Sequence, residues 1–168
     1  MNFSRKNFGI IIIGNEILSG KTIDTNSNYI CKQLNAIGMV CKEINVVRDS
    51  EKDIVEKINT FRKKYDYIFT TGGIGPTHDD ITAKAVSKAL NDPLVLNNVA
   101  KKRLEKHYSD DVLTKARLKM AYMPSKALLI DNPVSVAPGF YVKNIYVLPG
   151  VPNILKPMFK ELLKKFTA

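Results

Sequence analysis

The chain has 168 residues, 45% hydrophobic and 25% charged, the proportions of one ordinary globular domain that buries a core without covalent staples. Two cysteines, Cys31 and Cys41, with no CxxC pair and only two histidines, argue against a disulfide framework or a zinc site and favour a reducing, cytoplasmic setting. A formal charge of +10 suits an anionic ligand, but the lysines fall at helical surface spacings without interleaved aromatics, so nucleic acid is an unlikely partner, and no apolar run reaches membrane-spanning length.

Residues 8–13 are a continuous apolar, β-branched run ending at Gly14, which predicts a central parallel strand. Residues 15–23 read as a loop. Asp24 or Thr25 then caps a helix with Tyr29, Ile30, Leu34 and Ile37 inward, stopped by Gly38. Residues 39–47 alternate as a second strand, and Arg48-Asp49 is a short turn. Ser50 caps a helix that turns Ile54, Ile58 and Phe61 to the core. Residues 67–71 form a third strand. It feeds the loop Gly72-Gly73-Ile74-Gly75-Pro76-Thr77-His78-Asp79-Asp80, and a third helix follows to about Leu90.

This β-α-β-α-β-α order predicts a parallel sheet with helices on both faces. Asn91-Asp92-Pro93 ends the third helix. Two more helical segments, 98–107 and 111–121, are broken by Tyr108-Ser109-Asp110 and stopped by Met123-Pro124. Strands at 127–130, 139–142 and 145–148 complete the sheet. The tight Val142-Lys143-Asn144-Ile145 turn makes that portion antiparallel. Pro149-Gly150-Val151-Pro152 is a stiff loop before a last helix at about 153–166, which must hold Pro157 near its first turn. The expected fold is one three-layer α/β/α domain over 1–168, its sheet mostly parallel with an antiparallel C-terminal portion.

Ligands in such sheets bind beyond the carboxyl ends of the strands. Glu16, Asp49, Asp79 and Asp80 lie at those ends and are expected to converge there. Gly14 to Thr22 imitates a phosphate-binding P-loop but has five residues between its glycines instead of four, and it is set aside. The Gly72-Gly73-Ile74-Gly75 stretch is a stronger signal. Taken structurally it is a strand-to-helix turn with Thr77 and Asp80 as a capping pair. Its three glycines bring bare amides near a helix start, which favours phosphate. Two adjacent aspartates beside a phosphate call for a bridging cation or acid/base chemistry.

The chain resembles the molybdopterin-binding domain of the MogA and MoaB proteins and of the N-terminal part of CinA-type proteins. The residues that carry the likeness are Gly14-Asn15-Glu16-Ile17-Leu18-Ser19-Gly20 with Asp24-Thr25-Asn26, Val47-Arg48-Asp49, and the run from Thr71 to Thr82. Arg117-Leu118-Lys119-Met120-Ala121, Ala137-Pro138-Gly139-Phe140 and Leu148-Pro149-Gly150-Val151-Pro152 continue it. The resemblance implies an oligomeric α/β/α domain, a dimer or trimer, with a pocket for a nucleotide or pterin phosphate. In MogA-like relatives the aspartates matching Asp49 and Asp80 are tied to adenylylation of molybdopterin. CinA-like relatives imply a metal-dependent pyrophosphatase that converts an ADP-ribose-like substrate to AMP and a sugar phosphate; a non-catalytic nucleotide- or pterin-binding module is the third reading.

Asp49, Asp79, Asp80 and Glu16 are then the catalytic candidates, the three aspartates holding a divalent Mg, Mn or Co ion. Thr71, Gly72, Gly73, Gly75, Pro76, Thr77, Asn26, Lys119, Pro149, Gly150 and Pro152 line the substrate site. Three positions depart from the family pattern: Asn15 replaces an aspartate, Ser135-Val136 a Gly-Thr pair, and Ile154 a glutamate.

Overall fold

The computed structural model describes residues 5–109 and 112–167. Its first strand, β1 (Asn7–Ile13), is buried at every position but the first. A strand apolar on both faces needs a neighbour at each edge and a helical layer on each side. β1 has both. It pairs in parallel with β2 (Val40–Val47) and with β3 (Tyr67–Thr71). The second sheet partner of β3 is β8 (Ile145–Leu148), again parallel. β7 (Gly139–Val142) runs antiparallel to β8, and β6 (Leu128–Ile130) antiparallel to β7, so the six strands stand in the order β2-β1-β3-β8-β7-β6. The turn between β7 and β8 places Lys143 at φ 53°, as a tight hairpin requires.

Two apolar layers flank this sheet. On one face Phe8, Ile10, Ile12 and Phe69 pack against Ile30 and Leu34 of α2 (Asn26–Asn35) and against Leu155, Met158, Phe159 and Leu162 of α7 (Pro152–Thr167). On the other, Ile11, Ile13 and Ile68 pack against Ile54, Ile58 and Phe61 of α3 (Glu51–Lys64) and Val86 of α4 (Thr82–Leu90). The Ser50 side chain accepts from the Asp53 amide and caps α3 as expected. The result is the three-layer α/β/α sandwich, parallel at its centre and antiparallel toward the C-terminus.

Three details differ from the sequence reading. Residues expected as a loop contain the short helix α1 (Asn15–Leu18). The expected helix over 111–121 is shorter: Thr114 accepts from the Arg117 amide and starts α6 (Lys115–Leu118) there, followed by one 3-10 turn at Lys119–Ala121. Asp111 lies outside the described residues. A second, two-stranded sheet was not anticipated. After α4, β4 (Leu94–Leu96) pairs antiparallel with β5 (Tyr122–Pro124), and α5 (Asn98–His107) lies between them in the chain. Pro157 stands in the second turn of α7, where only one intrahelical donor is missing.

Candidate functional site

The glycine loop leaves β3 through two left-handed residues, Gly72 at φ 96° and Gly73 at φ 76°. No side chain fits at either. A Cβ on Gly72 would lie 2.2 Å from the Ile13 carbonyl oxygen, and one on Gly73 would lie 2.0 Å from Thr82 Oγ1. Thr82 is fully buried; its hydroxyl donates to the Gly72 carbonyl at 2.9 Å and its amide to the Gly73 carbonyl at 3.0 Å. The loop's carbonyls are thereby tied to the start of α4, and the Gly72 amide donates to Leu148 in β8. The Gly73, Ile74 and Gly75 amides donate to no other atom of the described residues. Successive unpaired amides of this kind form an anion-binding nest.

The loop is closed by Asp80. Its Oδ2 accepts from the Thr77 amide at 2.8 Å and from the Thr77 hydroxyl at 2.7 Å. Lys119 Nζ donates to the Thr77 carbonyl at 2.6 Å. Thr77 and Asp80 were expected to cap the following helix. Instead α4 starts two residues beyond Asp80, with Ile81 at its N-cap, and the pair braces the loop upon itself.

The facing wall is the 149–152 loop after β8. It touches the first: a Cβ on Gly150 would lie 3.2 Å from Gly72 Cα. Asn26 Nδ2 donates to the Gly150 carbonyl at 2.8 Å and fixes that wall from α2. Asp24 Oδ1 in turn accepts from the Asn26 and Ser27 amides at 3.0 and 3.2 Å. At the end of β1 the Glu16 carboxylate folds back over Gly14, where a Cβ would meet its Oε1 at 2.5 Å.

Three connected spaces result. A cleft of about 540 Å³ is walled by Gly72, Gly73, Gly75, Pro76 and Asp80 and by Pro149, Gly150 and Pro152, with Glu16, Asn132, Ser135 and Ile154 completing it. A chamber of about 270 Å³ shares Gly73, Ile74, Gly75, Asp80 and Met120 with the cleft. It is largely apolar, lined by Ile81, Leu94, Tyr122, Pro138 and Phe140, with His78 also on its wall and Lys84 and Lys119 supplying its positive groups. A recess of about 50 Å³, containing Thr71, Asn26 and Asp24, shares Glu16, Thr22, Gly150 and Pro152 with the cleft.

The expected convergence is therefore partial. Glu16 and Asp80 share the cleft with the glycine and proline loops, Lys119 lines the chamber, and Thr71 and Asn26 line the recess. Asp49 is elsewhere, its carboxylate accepting from the Asn15 amide at 3.1 Å. Asp79 is exposed and lines none of the three spaces, and Thr77 is taken up by Asp80 and Lys119. Among the described residues no group of three or more His, Cys, Asp or Glu side chains is gathered to hold a metal ion. The expected cation site of Asp49, Asp79 and Asp80 is thus not formed among the described residues: Asp49 accepts from the Asn15 amide, Asp80 accepts from Thr77, and Asp79 is exposed. Reading the sequence also missed the apolar chamber. Part of its wall comes from β4 and β5, through Leu94 and Tyr122, and the short apolar run Leu94-Val95-Leu96 after Pro93 was the signal for β4.

A family model described as "Probable molybdopterin binding domain" matches residues 9–168. The chain belongs to this family. A CinA protein of Thermoplasma acidophilum, 34% identical, has a crystal structure that superposes with a TM-score of 0.90, covering 96% of this chain and 98% of that one. A CinA-like protein of Thermosipho melanesiensis is 41% identical over 163 residues, 92% of this chain but 40% of its own length. A Pyrococcus furiosus protein is 39% identical over 90% of this chain and 66% of its own. The chain thus spans between two fifths and two thirds of these two relatives. The tungsten cofactor synthesizing protein MoaB of Pyrococcus furiosus shares the fold at 20% identity and a TM-score of 0.61, with 97% and 93% of the two chains covered. The protein is a molybdopterin-binding-type, CinA-like domain. No helix among its described residues is long and apolar enough to cross a membrane.

Proposed function

We propose that the domain binds a nucleotide carrying a diphosphate and hydrolyses the linkage, an ADP-ribose-like substrate giving AMP and a sugar phosphate. The observation that carries this reading is the row of unpaired Gly73, Ile74 and Gly75 amides on the wall that the chamber and the cleft share. The diphosphate sits on those amides, the base takes the chamber, and the second half of the ligand lies in the cleft. Lys84 and Lys119 offset phosphate charge from the chamber side.

In the reaction a water oxygen bonds to one phosphorus and the bridging P–O bond breaks, so that one phosphate leaves with the sugar. Charge builds on the phosphoryl oxygens, where the fixed amides stabilise it. Asp80 takes the proton from the water, since only its Oδ2 is committed to Thr77. The described residues form no cation cage, so no step is assigned to a metal.

Molybdopterin binding or adenylylation is the second reading, favoured by the family model. Binding without turnover is the third, favoured by Ile154 in the cleft wall where the family pattern has a glutamate. The test is incubation of the protein with ADP-ribose in the presence of Mg, Mn, Co or a chelator, with products separated by chromatography. AMP and ribose 5-phosphate are expected. ATP-dependent labelling of molybdopterin with no AMP from ADP-ribose moves the assignment to the second reading.

A further inference from the structure

Asn26 is 5% exposed, and its two side-chain atoms have different fates. Nδ2 donates to the Gly150 carbonyl, whereas Oδ1 is buried with no hydrogen-bond partner. Exchanging the two atoms does not relieve this, because Oδ1 would then face the Gly150 carbonyl, acceptor against acceptor. Asp24, beside it, is already committed to the Asn26 amide and to the Ser27 amide and hydroxyl. A buried amide oxygen left without a donor is costly, and native structures rarely keep one. Asn26 lines the recess next to the diphosphate cleft, together with Glu16.

We infer that the recess is a subsite for a hydrogen-bond donor on the part of the ligand beyond the diphosphate, with Asn26 Oδ1 as its acceptor. The inference rests on the cleft being a diphosphate site. At about 50 Å³ the recess admits a hydroxyl or an amino group, but no ring. Asn26 Oδ1 and the Glu16 carboxylate offer only acceptors, the hydroxyls of Thr22, Thr25 and Thr71 can accept as well as donate, and the Glu16 carboxylate repels a phosphate oxygen, so the ligand is oriented: phosphates on the glycine loop, donor in the recess. Two ligand parts supply such a donor, a sugar through its hydroxyls and a pterin through its amino edge. Asn26 is then a specificity-determining residue that also positions the Gly150 wall.

The test is calorimetric binding in two arms. One compares ADP-ribose with its analogue bearing a tetrahydrofurfuryl group in place of the terminal ribose. The other compares 6-hydroxymethylpterin diphosphate with inorganic diphosphate. A preference of about tenfold for the donor-bearing ligand is expected in one arm, and that arm names the source of the donor. Asn26→Leu, with folding checked by circular dichroism, brings that ratio close to one. The ligand comparison on the unaltered protein stands even if this variant does not fold. Equal affinities within both arms, or a preference that survives in folded Asn26→Leu, overturn the subsite while leaving the diphosphate reading intact. Failure of all four ligands to bind, inorganic diphosphate included, overturns the diphosphate reading and the subsite with it.

Discussion

Asn15 and Asp49 hold each other through two reciprocal hydrogen bonds, the Asn15 amide to Asp49 Oδ2 and the Asp49 amide to Asn15 Oδ1, each 3.1 Å. The bracket joins the first residue of α1 to the end of β2 and so sets where Glu16 stands. Asp49 thereby acts on the site through its neighbour. Asp49→Ala is expected to lower stability by about 1 kcal/mol, because the bonds are solvent-exposed, whereas Asp49→Asn keeps an acceptor for the Asn15 amide and the wild-type melting temperature. Thermal melts of both variants check this. Turnover of ADP-ribose lost in Asp49→Asn at an unchanged melting temperature would show instead that the Asp49 charge itself takes part.

The glycine loop offers a controlled comparison of backbone strain with steric collision. Gly20 and Gly73 have nearly the same dihedral, φ 79° and 76°. A Cβ on Gly20 meets nothing within 4 Å, but on Gly73 it meets Thr82 Oγ1 at 2.0 Å. Gly20→Ala is expected to cost about 1 kcal/mol from the left-handed backbone alone, and Gly73→Ala clearly more, about 3 kcal/mol. Urea denaturation of the two variants gives the difference. Thr82→Val removes the donor to the buried Gly72 carbonyl and is expected to cost about 1–3 kcal/mol by the same measurement.

The core and the glycine loop were legible because several signals agreed at each. Four consecutive isoleucines in β1, apolar positions at helical spacing in α2 and α3, and glycines next to a strand end all pointed one way. The β4–β5 sheet was not legible. Each strand has three residues, Leu94 and Val95 are partly exposed, and so short a run shows neither alternation nor helical period. The chamber that Leu94 and Tyr122 of those strands help to line was lost with them. The convergence of four carboxylates was only partial for a different reason. Topology places strand ends together, but it does not decide whether a side chain faces the cleft or, like Asp49, a neighbouring amide.

Asp92 supplies a pH dependence separate from the site. Burial raises its pKa, but bonds from the Ser125 hydroxyl and from the Lys126 amide at 3.1 Å, with the Lys126 charge, outweigh that and hold the carboxyl below its ordinary 3.8. A depressed folded-state pKa means that the unfolded chain binds the proton first. The stabilisation is complete above the unfolded value and is lost as the pH falls below 3.8 through the folded value. Asp92→Asn is expected to flatten the acid limb of the stability curve there and to reduce stability at pH 7. Parallel urea titrations from pH 7 to pH 2 measure both, and an unchanged acid limb would remove Asp92 as its source.

Asp80 separates the roles of brace and base. Its Oδ2 closes the loop onto Thr77, and its other oxygen receives no hydrogen bond from the described residues. In Asp80→Asn the amide oxygen still accepts from the Thr77 amide and hydroxyl, so the loop and the melting temperature are retained, but the carboxylate that takes the proton from water is gone. Asp80→Ala loses both. The expected pattern is a fall in kcat of at least about 100-fold in both variants, as for removal of a general base, with a lower melting temperature in Asp80→Ala alone. Binding of ADP-ribose by Asp80→Asn is expected to stay within about threefold of wild type, since the interaction removed is made in the transition state. Unchanged turnover in Asp80→Asn sinks its role as the base, and loss of binding without loss of kcat would place Asp80 with the ligand-holding residues instead.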